Sequence, residues 1–215
     1  MAHFVKLPAL LREFLLMALH TLIPSRALQS KIAHLLDDEL PPLGPGTPRS
    51  HLEQRLSKIT PEALFKDTVI DPDSAACCLA GIWLWNGFLD RSHELSQSFD
   101  TPEAAWWHGI MHRREPDASN AKYWFRKVGD HPLFSTLGER VRLYASKADL
   151  PTEAQWLSQC QHWNPSQFID SCETVRCGSN ESLRKIFCEV AAIEWYTLFE
   201  YCQHLTCGTE KMKRL

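Results

Sequence analysis

The chain has 215 residues, 44% of them hydrophobic, enough to bury a substantial core in one domain, or one domain and a small appendage, which excludes a disordered protein. With 23 basic against 26 acidic residues and a formal charge of -3, no overall positive field exists to gather nucleic acid or an anionic membrane surface.

The most apolar early stretch, Leu7 to Ile23, is interrupted by Pro8, Arg12, Glu13 and His20, short of the roughly 20 apolar residues of a spanning helix. Leu15-Leu16-Met17-Ala18-Leu19 follows an acidic residue and lacks a small-residue cleavage site, unlike a secretory signal. A cytoplasmic protein with no membrane association is therefore expected, and its eight cysteines are expected as free thiols. Within residues 1–39, the spacing of Leu10, Phe14, Met17 and Leu22, then of Leu28, Ile32 and Leu35-Leu36, predicts two helices. Residues 40–48 hold four prolines and two glycines, which remove donors and fix dihedrals, so they are expected as a linker to a main all-α domain over 49–215.

In that domain, Ser50 to Ile59 reads as a polar amphipathic helix, and Thr60-Pro61-Glu62 opens the next. Asp71-Pro72-Asp73-Ser74 caps a helix through Cys77, Cys78, Ile82, Trp83 and Trp85 to Gly87, and a shorter one, about Asp90 to Gln97, packs back on it. The same grammar recurs in Thr101-Pro102-Glu103, which opens a helix through Trp106, Trp107, His108 and His112, and in Pro116-Asp117, which starts its partner through Ala121, Phe125 and Val128. Two helical hairpins follow, with Gly87 and Gly109 suggesting a degenerate repeat. Toward the C-terminus, helices are expected from Thr152 through Trp156 to Cys160, from Pro165 to Glu173, and from Ser182 to His204. The last carries Ile186, Val190, Ile193, Trp195, Leu198 and Phe199 on much of its surface, which predicts a central place in the core. No convincing strand period appears. The expected fold is all-α, with eight to ten helices arranged as hairpins in a compact or short solenoid-like array.

Trp106, Gly109, Ala121, Phe125 and Pro132 resemble the tryptophan, glycine, alanine, aromatic and proline positions of a tetratricopeptide or Sel1-like repeat, over about 30 residues. His108 departs from that motif, which has an apolar residue there. The runs Trp107-His108-Gly109-Ile110-Met111-His112-Arg113-Arg114-Glu115 and Ser119-Asn120-Ala121-Lys122-Tyr123-Trp124-Phe125-Arg126 also resemble a signature of uncharacterised proteins, implying a shared site or scaffold without naming a reaction.

The leading chemical constellation is His108, His112 and Glu115, whose offsets place them at about 0°, 40° and -20° around one helix. Imidazoles and a carboxylate are ligands that zinc, iron or manganese accept, and an open position lets the ion activate water. His131, after the partner helix, and His93-Glu94, on the preceding hairpin, are candidates to complete the shell. The same histidines also fit a packed or solvated helix face, and Glu115 precedes Pro116, which disfavours helical geometry at the carboxylate-bearing residue. Arg113, Arg114, Lys122, Arg126 and Lys127 interleave with Trp106, Trp107, Tyr123 and Trp124, which suits either a solvated face or a pocket for a small anionic ligand or peptide. Trp107, Asn120, Lys122, Trp124 and Arg126 are the candidate ligand contacts. The C-x4-C pairs Cys172/Cys177 and Cys202/Cys207 are wider than the usual zinc turn. No phosphate loop, dinucleotide glycine fingerprint, hydrolase elbow or kinase set is present.

Two functions are compatible with these features. The first is a helical-repeat scaffold binding a peptide, a protein or a small ligand through a His/Trp/Arg-rich concave site. The second is a metal-dependent enzyme, a hydrolase or oxygen user, with His108 and His112 as ligands, Glu115 as ligand or general base, and His131 as a candidate to complete the shell.

Overall fold

The protein is described by a computed structural model that covers residues 35–36, 39–65 and 69–208. The helices expected within residues 1–39 lie almost wholly outside the described residues. Among the described residues there are nine α-helices, one 3-10 helix and no strand, so the fold is all-α as the periodicity predicts. The α-helices are α1 (Ser50–Leu56), α2 (Pro61–Phe65), α3 (Pro72–Trp85), α4 (Leu89–Ser96), α5 (Pro102–Arg114), α6 (Ala118–Val128), α7 (Leu133–Ala145), α8 (Pro165–Cys177) and α9 (Glu181–Cys207); the 3-10 helix is Thr152–Gln159. No helix among them is long and apolar enough to cross a membrane.

Side-chain caps fix the helix starts. Asp71 accepts from the Asp73 and Ser74 amides ahead of α3, Thr101 from Ala104 ahead of α5, and Asp117 from Asn120 ahead of α6. Asn164 and Asn180 do the same for α8 and α9. Each satisfies an otherwise orphaned backbone donor, and Pro72, Pro102 and Pro165 occupy first-turn positions where no donor is needed. Helix α7 is not among the helices expected above, although Leu133, Leu137, Val141 and Ala145, all buried, recur at four-residue intervals; at Gly138 in its interior a Cβ would meet the Gln161 backbone at 2.7 Å, so the glycine permits a close approach that a good helix former would block.

The hairpins α3/α4 and α5/α6 pack side by side, and α9 runs along α3, α7 and α8. Gly87 and Gly109 are not equivalent positions of a repeat: Gly87 has φ 81° in the turn after α3, whereas Gly109 is inside α5, where a Cβ would lie 2.8 Å from the Phe125 ring. Trp195 of α9 donates to the Gly81 carbonyl of α3 at 2.8 Å and stacks on Phe199 at 4.8 Å. The charged groups inside this core are tightly partnered. Arg113 and Glu194, both fully enclosed, meet at 2.6 Å, and Glu194 Oε1 also accepts from the indoles of Trp106 at 3.1 Å and Trp163 at 3.2 Å.

The proline-rich residues 40–48 lie against the core. Leu40 and Leu43 are buried in it, and Arg114 donates to the carbonyls of Gly44 at 3.2 Å, Pro45 at 3.0 Å and Leu84. Burial and the neighbouring Arg49 lower the Arg114 pKa to about 9, because a guanidinium out of water is held here by carbonyls rather than by a carboxylate. All eight cysteines are free thiols, and only Cys177 is exposed.

Candidate metal centre

Three helices meet at the histidines. Helix α4 supplies His93 and Ser96, α5 supplies His108 and His112 with Glu115 at its C-terminal cap, and α6 supplies Asn120, Trp124 and Lys127 on one face. The imidazole of His108 lies 4.5 Å from that of His93 and 4.8 Å from that of His112, and His93 and His112 are 5.5 Å apart, all between ring centroids. One ring nitrogen from each residue lies within 4.8 Å of the other two, the one such group of metal-ligating residues among the described residues. Nitrogens bonded to one tetrahedral ion at 2.0–2.1 Å stand about 3.4 Å apart, so the triangle is of the right kind and closes slightly on filling. His93, half-buried, has room to make that adjustment.

Hydrogen bonds set which nitrogen is free. The Glu115 carboxylate can only accept, so His112 carries its hydrogen on Nδ1, which donates to Oε2 at 3.0 Å. The His112 Nε2 lone pair then accepts from the Asn120 amide at 3.1 Å. Ser96 Oγ lies 3.3 Å from the His93 carbonyl and 3.1 Å from His108 Nδ1; when its hydrogen goes to the carbonyl it accepts from Nδ1 and leaves the His108 Nε2 lone pair unused. Both buried imidazoles thus offer Nε2 while a second group fixes the far nitrogen, the arrangement that orients histidine ligands in metal sites.

Electrostatics keep these two rings neutral. Burial lowers the His108 pKa to about 3, helped by the neighbouring His93, His112 and Lys127. His112 is lowered by burial as well, with Glu115 opposing. A neutral imidazole needs no deprotonation before it binds an ion. The Trp124 ring covers His108 at 3.9 Å and 31°, and the Lys127 ammonium sits 4.4 Å from the Trp124 ring centre.

The remaining candidates are distributed differently. Glu115 lies beside the cluster as the hydrogen-bond partner of His112, on the residue that caps α5. His131 sits elsewhere: its Nδ1 accepts from the Leu133 amide at 3.2 Å, its Nε2 meets Glu103 at 3.1 Å, and its ring packs against Trp106 and Tyr201. It is not part of the group of converging histidines. Trp107 is buried away from the site, against Gly81 and Trp195. Lys122 pairs with Asp170 at 2.6 Å, and Arg126 lies over Tyr123. Ser96 was not singled out from the sequence, although its spacing carried it, three residues after His93; Lys127, named there in the basic cluster, falls three residues after Trp124 and seven after Asn120.

Family models, curated proteins and solved structures were all compared with this chain, and none matches it.

Proposed function

We propose that this protein holds a zinc-like divalent ion on His93, His108 and His112 and uses the remaining coordination position for hydrolytic chemistry. The observation that carries the reading is the convergence, within 4.8 Å of one another, of one ring nitrogen from each of three histidines, two of which have Nδ1 engaged by Glu115 or Ser96. An all-imidazole set suits zinc better than manganese, which prefers carboxylates, and lacks the ligating carboxylate of a facial triad that binds iron for oxygen chemistry. Three neutral ligands leave the ion's charge undiminished, which is the condition for acidifying a coordinated water toward neutrality. Glu115 acts here through His112, by fixing its tautomer and raising its basicity.

The test is metal analysis of untagged protein, followed by cobalt substitution. About one equivalent of metal and the intense visible absorption of tetrahedral cobalt support the site, and both should vanish in His93→Ala and His112→Ala while far-ultraviolet circular dichroism stays helical. A metal-free protein that leaves added cobalt with its octahedral aqueous spectrum ends the proposal.

A second reading is a helical-hairpin scaffold, tetratricopeptide- or Sel1-like, that binds a peptide or protein. It is favoured by Tyr123, 46% exposed, with Arg126 and Lys127 beside its ring. Loss of partner binding in Tyr123→Ala with metal content unchanged would support it over the ion site.

A further inference from the structure

Resting on the three-histidine ion site proposed above, we infer that the ligand received at its open face is a small oxyanion, a phosphate or carboxylate, held by Lys127 and the Asn120 amide. Lys127 makes no ion pair with any described residue, and its ammonium lies between two rings, 4.4 Å from the centre of Trp124 and 5.6 Å from that of Tyr123. Lys122, on the same helix, is already paired with Asp170 at 2.6 Å. Trp124 also stacks on His108, so the Lys127 ammonium stands within one indole ring of the histidine cluster.

A cation beside a cation site weakens ion binding through like-charge repulsion. The arrangement becomes favourable when a third group between them is negative, one oxygen bonding the ion and another the ammonium. Asn120 adds a donor at His112. Its Nδ2 now donates to His112 Nε2 at 3.1 Å, and an ion on that lone pair displaces the amide, whose hydrogens are then free for an oxygen of the ligand. The apolar Trp124 face beside Lys127 limits water around the bound anion and strengthens its charge-assisted hydrogen bonds. Neutral ligands gain nothing from Lys127, and cations are repelled by both charges.

The experiment titrates the full-length cobalt-loaded chain with inorganic phosphate and, separately, with acetate, following the visible cobalt absorption. In the wild type at least one anion should shift the spectrum saturably, and comparison of the two tells which oxyanion geometry the site prefers. Lys127→Gln should weaken that anion about three- to tenfold while binding cobalt as well as or better than the wild type, and Lys122→Gln should match the wild type. Because Lys127 is exposed, the variant folds. If neither anion alters the spectrum, or if Lys127→Gln binds it as the wild type does, the oxyanion inference fails while the ion site stands. If cobalt does not bind the wild-type chain at all, the ion site fails and this inference with it.

Discussion

The imidazole of His108 lies face to face with the indole of Trp124, 3.9 Å between ring centres and 31° from parallel. That contact joins α5 to α6 and shields one face of the ring from water. Its consequence is a histidine that resists protonation, with a pKa lowered by burial from 6.5 to about 3.

In acid, this depression works against the fold. Between pH 6.5 and about 3 the unfolded chain takes up a proton at residue 108 that the folded chain refuses, so stability present above pH 6.5 is lost as the pH falls. His112, lowered by burial too, adds in the same direction. Urea midpoints measured at pH 7.5 and pH 5 should therefore differ, and the difference should shrink in His108→Gln. Equal differences in wild type and variant would show that the ring titrates normally.

Zinc should raise thermal stability through the same rings. An ion bound only by the folded chain adds about 2.7 kcal/mol at a hundredfold excess over its dissociation constant. Glu115→Gln should weaken zinc binding about tenfold or more by loosening the His112 tautomer, with little change in the metal-free melting temperature, since the Glu115 side chain is 38% exposed. Chelator competition measures the first quantity and calorimetry the second.

The Arg113–Glu194 pair offers a test of the core. Arg113→Met leaves Glu194 charged, enclosed and served only by two indole donors, and should cost about 3–5 kcal/mol in urea denaturation. A loss below about 1 kcal/mol would mean that water reaches the carboxylate.

At Gly109 two effects oppose one another. Alanine improves helix propensity by about 1 kcal/mol, but its Cβ would stand 2.8 Å from two carbons of the buried Phe125 ring. Overpacking of this kind costs about 1–3 kcal/mol, so a net destabilisation is expected, and Gly109→Ala with Phe125→Leu should recover part of it.

Arg114→Met removes the donors that hold residues 44 and 45, and hydrogen exchange should rise across residues 40–48 before it rises in α5. Uniform exchange across both would indicate that the segment is held by Leu40 and Leu43 alone.

The helices were legible because their punctuation is local. Asp71, Thr101 and Asp117 announce α3, α5 and α6 by caps that depend on nearby backbone only. Pro165, the first residue of α8, did the same. Helix α7 was overlooked although Leu133, Leu137, Val141 and Ala145 carry its four-residue spacing; only the close approach of Gly138 to Gln161, a distant partner, has no local pattern. The site divided along the same line. His108 and His112 share one helix face and were read from spacing, with His93 considered as a further ligand, while His131 matched in residue type and failed in position. Its nitrogens are committed to Leu133 and Glu103, a tertiary fact with no counterpart in the sequence near it.

Every residue of α5 from Glu103 to Arg114 is buried, His108 and His112 in one direction, Arg113 toward Glu194, Arg114 toward residues 44 and 45. A helix on a protein surface tolerates substitution in a three-to-four-residue rhythm, since one face is free. This one has no free face. A saturation library across the chain should therefore show one unbroken block of intolerance over α5, and polar-for-polar exchanges there should be rejected as firmly as changes to its tryptophans.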